Sequence, residues 1–190
     1  MIPSCIYDYI ENNMSEKRRI HTFAVAEEAK KLAKLYGEDV YKAELAALVH
    51  DFYRGINEDV LNAYVSEFNL DSYYLGNANL AHGKIAANII KRDYNIEDQD
   101  IINAVSYHTT GRDGMSTLEK IIYIADAIEP NRSYPGIEEL RELAYIDLDK
   151  ACLMSLKHVA DYVQSQELYL DLDTVRAIDF IKKELQERGK

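Results

Sequence analysis

Residues 119–128 read EKIIYIADAI and form the clearest helical pattern in the chain. Large apolar residues recur there at three- and four-residue spacing, which is typical of an α-helix that packs on several sides. Asp126 stands among them, and an ionised carboxylate is costly to bury unless a partner compensates its charge. A bound cation is the obvious partner. The alternatives are a hydrogen-bonded or Arg-paired core aspartate and the polar stripe of a half-buried helix.

The same helical periodicity continues along most of the chain in both directions. Only 3 Pro occur in 190 residues, so long stretches contain no helix breaker. The predicted N-caps are Ser4, Ser15, Asp39, Asn57, Thr117, Asp147 and Asp173. We find no convincing alternating strand pattern, internal repeat or low-complexity linker. We therefore predict an all-α fold of about ten helices in a single domain, residues 1–190.

Composition and charge narrow the functional classes. The chain has 22 Lys and Arg against 33 Asp and Glu, a formal net charge of −11, which opposes attraction to nucleic acids and anionic lipids. Small phosphorylated ligands remain compatible, because a metal and a few local cations can reverse the potential inside one cleft. A chain of 190 residues needs no metal merely to stay folded, so any metal site is expected to be functional.

The cysteines and the N-terminal segment predict a cellular location. Cys5 and Cys152 fit no CxxC or Cys/His finger pattern, so we expect two free thiols in a reducing compartment. The first residues lack the basic and apolar regions of a signal peptide, and no apolar run approaches the roughly 18 residues of a membrane span. We expect a soluble cytoplasmic protein that binds neither nucleic acid nor membrane, with a homodimer left open.

Four of the five histidines stand at the ends or starts of apolar helices: His21, His50, His82 and His108. A single histidine of this kind is often a satisfied core residue, but four of them together with two carboxylates favour a metal site. Imidazole and carboxylate suit iron, manganese or zinc, and a His/His/Asp/Asp set leaves positions for water and substrate. Such a site activates water and polarises phosphoryl oxygens, which predicts a hydrolase of phosphate esters or anhydrides.

Five motifs, spread over nearly the whole chain, carry a resemblance to a known family. They are RxxHTxxVA at 18–26, ALVHDF at 47–52, LAHG at 80–83, YHTTGR at 107–112 and EKIIYIADAIEPNR at 119–132. The order of His21, His50-Asp51 and Asp126 resembles the metal signature of the all-helical HD-domain phosphohydrolases. The full set resembles the YqeK family within that superfamily, the bacterial symmetrical diadenosine tetraphosphate (Ap4A) hydrolases.

The resemblance implies a reaction and a set of site residues. Ap4A would be cleaved at its middle anhydride to two ADP, with one or two ions of iron, or of another divalent metal such as manganese, cobalt or zinc. The implied metal ligands are His21, His50, Asp51 and Asp126. The implied catalytic residues are Asp51, His82 and His108. The implied substrate-binding residues are His21, Asp51, Phe52, Tyr53, Arg54, His82, His108, Thr109, Asp126, Arg132, Asp173 and Thr174.

The chain departs from the family pattern in two places. After the metal dyad the family commonly reads Tyr-Ala-Lys, whereas residues 52–54 read Phe-Tyr-Arg and keep a cation of a different shape. Near the C-terminus the family tends to have Pro-Asp-Thr and then an Arg-Asn pair, whereas residues 172–174 read Leu-Asp-Thr and residues 178–179 read Ile-Asp. The contribution of segment 168–175 to a nucleoside pocket is therefore left open.

Three rival functions remain at this point. One is an HD-domain hydrolase of mononucleotides, and another is a non-catalytic sensor of nucleotide or metal. The third is a helical scaffold whose histidines only pack. The products formed from Ap4A distinguish the mononucleotide hydrolase from the symmetrical Ap4A hydrolase. The presence of catalytic turnover argues against the sensor, and the presence of bound metal argues against the scaffold.

Overall fold

Ten α-helices make up most of residues 1–189, the part of the chain that the computed structural model describes. Their bounds are α1 Ser4–Asn13, α2 Glu16–Tyr36, α3 Val40–Val49, α4 Glu58–Glu67, α5 Ala78–Tyr94, α6 Gln99–Tyr107, α7 Thr117–Ile128, α8 Ile137–Ala144, α9 Leu148–Ser165 and α10 Leu172–Arg188. A short 3₁₀ helix, Ser72–Tyr74, lies between α4 and α5. No strand occurs in the described range, so the predicted all-α class with about ten helices is confirmed.

Side-chain caps set most helix starts. In four helices the predicted cap accepts a hydrogen bond from a backbone N–H of the first turn, which satisfies an otherwise unpaired donor. These confirmed caps are Ser15, Asp39, Asn57 and Asp147. These hydrogen bonds fix the residues at which α2, α3, α4 and α9 begin.

Three predicted caps are wrong by one or two residues: Ser4, Thr117 and Asp173. In α7 the cap is Ser116, because Glu119 lies three residues on and accepts from the Ser116 N–H while the Ser116 hydroxyl accepts from the Glu119 N–H. A cap at Thr117 would face Lys120, which cannot complete this reciprocal pair. In α10 the cap is Asp171, and α1 follows Pro3, whose side chain caps nothing.

The largest apolar core lies among α2, α3, α6 and α7, which pack against one another. α3 and α7 are buried on nearly every side, and Leu48, Ile121 and Ile124 have almost no exposed surface. Burial of each such side chain stabilises the fold by about 1.5–3 kcal/mol. This packing fixes the polar ends of the four helices relative to one another, and those ends carry the histidines and aspartates singled out in the sequence.

A smaller apolar cluster joins α4 and the 3₁₀ helix to α5. It contains Leu61, Val65, Tyr74, Ala81, Ile85 and Ile89. The cluster holds α5 in place against α6, so that the start of α5 faces the end of α6. None of the helices in residues 1–189 combines the length and the apolarity that crossing a membrane requires.

Candidate metal centre and active site

The ends of five helices converge at one place. His21 lies near the start of α2 and His82 near the start of α5. His50 and His108 are the residues that directly follow α3 and α6. Asp126 lies in the last turn of α7. Residues separated by as many as 105 positions in the sequence are thereby brought into one polar cluster inside an apolar core.

His21 and His50 both turn Nε2 toward the cluster. His21 Nδ1 lies 3.1 Å from Glu129 Oε1, and His50 Nδ1 lies 2.6 Å from the Ala47 carbonyl oxygen. A carboxylate or carbonyl oxygen only accepts, so Nδ1 carries a hydrogen in both rings and Nε2 is the nitrogen left to bind a metal. Neither Nε2 atom has a hydrogen-bond partner among the described residues, although both are buried. Two oriented, unsatisfied imidazole nitrogens are the arrangement found at metal ligands.

Two carboxylates face these nitrogens. His21 Nε2 lies 3.1 Å from Asp126 Oδ1 and 3.7 Å from Asp51 Oδ2. His50 Nε2 also lies 3.7 Å from Asp51 Oδ2. The ligand atoms of His21, His50 and Asp126 lie within 4.8 Å of one another. The structure therefore brings together all four residues that were expected to hold a metal.

Protonation states at this centre suit a divalent cation. Burial lowers the pKa of His50, so its ring is neutral near pH 7, the form that binds metals. Burial opposes ionisation of Asp51, but His50, His82 and Arg54 hold the pKa of that carboxyl well below its usual range. Burial also opposes ionisation of Asp126, but the adjacent His21 ring, His50 and Arg132 hold the pKa of this carboxyl well below its usual range. Burial opposes protonation of His21, but Asp126 and Glu129 raise the pKa of its ring, so a bound metal would take the place of a proton on Nε2. Two imidazoles and two carboxylates in this arrangement fit a divalent metal ion.

A second group of polar side chains lies against the other oxygen of Asp51. His82 Nε2 lies 3.3 Å from Asp51 Oδ1 and 2.9 Å from His108 Nε2. Arg54 donates to His82 Nε2 at 2.8 Å, and Thr109 Oγ1 lies 3.3 Å from His108 Nε2. Burial and the neighbouring His82 and His50 lower the pKa of His108 to about 3. This group offers sites for a proton, a phosphate oxygen or a further cation.

Close contact between α5 and α6 creates the His82–His108 pair. Gly83 permits it, because a Cβ at that position would lie 3.0 Å from the Val105 carbonyl oxygen and 3.1 Å from the His108 ring. His108 Nδ1 donates to the same Val105 oxygen at 2.7 Å, which fixes its ring. The LAHG motif is thus explained by packing: the histidine provides a functional group and the glycine provides the space beside it.

Arg132 and the residues after Asp51 lie around the centre in different ways. Arg132 donates to the Asp126 carboxylate and backbone oxygen. Phe52 is fully buried and packs on the Tyr9 ring, with 4.1 Å between centroids, so its side chain does not face a ligand. Tyr53 is partly exposed and adopts a left-handed φ of 63°. Among these three predicted substrate contacts, Arg132 is the one whose side chain reaches a predicted metal ligand.

Asp173 and Thr174 lie farther from the centre, at the start of α10. Lys84 links them to it: its Nζ lies 3.6 Å from Asp173 and 3.3 Å from the centre of the Tyr107 ring. Tyr107 directly precedes His108. Thr174 is buried. The C-terminal segment is therefore placed on the His82 and His108 side of the centre.

Two residues with clear contacts at the centre were not predicted. Glu129 is buried and orients His21, while Arg18 donates to Asp51 Oδ2. Helical spacing contained a signal for both, since Arg18 lies three residues before His21 and Glu129 three residues after Asp126. Positions three apart share a helix face. Both residues also belong to the motifs at 18–26 and 119–132. In those motifs the sequence analysis predicts binding roles only for His21, Asp126 and Arg132.

The helical fold and the His/Asp centre are those of an HD domain, and the HD-domain family model matches residues 18–131. A Bacillus subtilis protein named "Bis(5'-nucleosyl)-tetraphosphatase, symmetrical" is 36% identical over 87% of this chain and 89% of its own. A protein of the same name from Halalkalibacterium halodurans is 39% identical over 85% of this chain and 88% of its own. The chain belongs to the family of these HD-domain tetraphosphatases, which confirms the resemblance seen in the motifs and the prediction of a hydrolase.

A solved structure supports the same assignment of fold. It is a protein from Clostridium acetobutylicum described as a predicted HD superfamily hydrolase involved in NAD metabolism. The two chains are 38% identical. Their superposition covers 95% of this chain and 97% of the Clostridium acetobutylicum chain, with a TM-score of 0.91. The arrangement of the ten helices is therefore shared with a relative over almost the whole chain.

Proposed function

We propose that this protein hydrolyses Ap4A symmetrically, giving two ADP, with a divalent metal held by His21, His50, Asp51 and Asp126. The convergence of two buried, unpartnered imidazole nitrogens with two ionised carboxylates carries this proposal. The relatives named as symmetrical tetraphosphatases supply the substrate. Their likeness extends over 87% and 85% of this chain.

A divalent ion bound at such a centre supplies a water of lowered pKa and polarises a phosphoryl oxygen. We propose iron, as the family resemblance implies. Manganese, cobalt and zinc accept the same nitrogen and oxygen ligands. Whether one ion or two bind depends on the second group, since His50, Asp51 and His108 also bring ligand atoms within 4.8 Å of one another.

The side chains of the second group handle protons and negative charge in this proposal. The proton of the attacking water is taken up at His82 Nε2, and the ionised Asp51 Oδ1, 3.3 Å away, stabilises the imidazolium that forms. His108 Nε2 lies 2.9 Å from His82 Nε2 and extends the same network. Arg54 and Arg132 donate to phosphate oxygens as charge builds on the leaving ADP, since a guanidinium fits them with two parallel N–H groups.

One ADP half of the substrate would extend from the centre past His108 toward α10. Thr109 contacts its phosphates. Tyr53 packs on Tyr9 and Tyr64 and is not assigned to this path. Asp173 and Thr174 bind the nucleoside end, where Lys84 joins α10 to the centre. We call this path the α10 subsite.

Chromatography of the reaction products tests the function. Metal-reconstituted protein should convert Ap4A to ADP alone, whereas ATP plus AMP would contradict symmetrical cleavage. Inorganic phosphate from mononucleotides, without action on Ap4A, would favour the mononucleotide hydrolase, and binding without turnover would favour the sensor. His50→Gln should abolish the reaction. His158→Gln is the matched control, because His158 is exposed on α9.

Three further expectations stay predictions. Residues 1–190 are proposed to form a single HD domain, of which the family model covers 18–131. A cytoplasmic location is proposed because Cys5 and Cys152 are both free thiols, which suit a reducing compartment. The homodimer remains an open alternative to a monomer, and sedimentation of the purified protein distinguishes the two.

A further inference from the structure

We propose that the cavity between the start of α2 and the segment after α7 binds the second ADP half of the dinucleotide, opposite the α10 subsite. This inference rests on the proposed function. Among the residues that line the cavity are Lys17, Arg18, Ile20, Arg132 and Tyr134. We call this space the α2 cavity. None of Lys17, Arg18, Ile20 and Tyr134 was expected to bind substrate from the sequence.

The α2 cavity has the size and position that a nucleotide half requires. Its volume is about 720 Å³, within the range of about 300–1,000 Å³ that is typical of small-molecule sites. His21 is one of its walls, and His21 is also a proposed metal ligand. The cavity therefore opens directly onto the centre where the bond would be cut.

The two oxygens of Asp51 separate the α2 cavity from the α10 subsite. Oδ2 faces Arg18 and His21, which line the cavity. Oδ1 faces Arg54 and His82, and His82 contacts His108 on the side of the centre toward α10. A substrate cut at its middle anhydride has an equal nucleoside diphosphate on each side of the reacting phosphorus. Two binding regions on opposite sides of one metal ligand fit that symmetry.

Positive charge is concentrated in the α2 cavity, in a chain whose net charge is −11. Lys17, Arg18 and Arg132 line it. Arg18 and Arg132 already reach the carboxylates of the centre, so their guanidinium groups lie where phosphates next to the cut bond would pass. Of the two acidic lining residues, Glu129 is held by His21 and Asn131, and Glu16 lies in the first turn of α2. The cavity therefore offers more cationic donors than carboxylates to a diphosphate.

The outer part of the α2 cavity is apolar and aromatic. Ile20 is 51% exposed and Tyr134 is 37% exposed, and both line the cavity. The Tyr134 hydroxyl donates to the Ala127 carbonyl oxygen at 2.9 Å, which holds the ring beside the end of α7. Aromatic rings bind nucleobases by stacking. Cations near the metal and an aromatic wall farther out match the order of groups in ADP, from phosphate to base.

The test compares two substrates that differ only in the second nucleoside. Adenosine 5′-tetraphosphate has the same four phosphates as Ap4A with one nucleoside, and cleavage at its middle anhydride gives ADP and pyrophosphate. Tyr134→Ala should lower kcat/KM for Ap4A about tenfold, since loss of one base–aromatic stack has an effect of this order. It should lower kcat/KM for adenosine tetraphosphate by no more than about twofold, because the single nucleoside still binds the α10 subsite.

Two variants control the comparison. Tyr134→Phe keeps the ring and should retain the wild-type preference for Ap4A. Tyr162→Ala removes a tyrosine that is 63% exposed on α9 and should leave both substrates unaffected. Equal loss of both activities in Tyr134→Ala, or no loss of either, would overturn the assignment of the cavity while leaving the proposed function intact. Failure of the wild-type protein to cut either substrate would overturn both.

Discussion

Replacing Glu129 with Gln should weaken metal binding while the fold stays intact. Glu129 Oε1 accepts from His21 Nδ1 at 3.1 Å, and its Oε2 accepts from the Asn131 backbone and side-chain nitrogens at 2.7 and 2.9 Å. Glutamine has the same shape but only one acceptor atom at its end. The variant therefore cannot serve both His21 and Asn131, and its hydrogen bond to His21 is neutral rather than charge-assisted.

The expected loss of metal affinity follows from these contacts. Hydrogen bonds to charged groups contribute about 1.5–3 kcal/mol and neutral ones about 0.5–1.5 kcal/mol. His21 would thus lose about 1–1.5 kcal/mol of orienting interaction, which corresponds to about a tenfold weaker dissociation constant. This value lies at the lower end of the 10–100-fold effects that are usual when the hydrogen-bond partner of a metal ligand is changed.

The assay is competition for the metal with a chromophoric chelator under anaerobic conditions. Glu139→Gln is the matched control, because Glu139 is exposed on α8, and it should bind metal as the wild-type protein does. Far-UV circular dichroism should be the same for all three proteins. A Glu129→Gln variant with wild-type affinity would refute the idea that this carboxylate orients a metal ligand.

Three other substitutions give distinct signatures. Asp126→Ala should purify without metal by elemental analysis yet keep its helical content, and retained metal would contradict its role as a ligand. Gly83→Ala should keep the metal but lose most of its activity, because the new Cβ pushes on the His108 ring; unchanged kinetics would show that the ring has room to move. Burial lowers the pKa of Lys84 from 10.5 to about 8, partly offset by Asp173. Between those pH values the Lys84 ammonium loses its proton in the folded protein but keeps it in the unfolded chain. The free energy of unfolding of the wild-type protein, measured by urea denaturation relative to Lys84→Met, should therefore rise by roughly 3 kcal/mol from about pH 8 to about pH 10.5. Parallel plots of unfolding free energy against pH for the two proteins would contradict this.

The helices were predictable because their signals are local. Apolar spacing identified α7, and caps such as Ser15 and Asp39 marked the starts of α2 and α3. The errors at Thr117 and Asp173 arose where two capping residues lie close together in sequence. A reciprocal pair with Glu119 selects Ser116 in one case. In the other, Asp171 accepts from the Asp173 N–H, a choice that single-residue propensities do not make.

The site was predictable only in part. Helix-end histidines and the apolar surroundings of Asp126 indicated a metal centre, but only the family resemblance said which of them converge. Spacing along the chain cannot show that His21 and Asp126 meet, because their contact depends on how α2 packs against α7. The α2 cavity was missed for the same reason, since Arg18 and Tyr134 come from segments that meet only in the folded protein.

An anomalous difference map, recorded at the iron absorption edge from crystals of the iron-loaded protein, tests the metal centre most directly. Its strongest peak should lie within bonding distance, about 2.0–2.2 Å for imidazole nitrogen and carboxylate oxygen, of His21 Nε2, His50 Nε2 and the Asp51 and Asp126 carboxylates. A strongest peak elsewhere in the molecule, with none among these four side chains, would contradict the account.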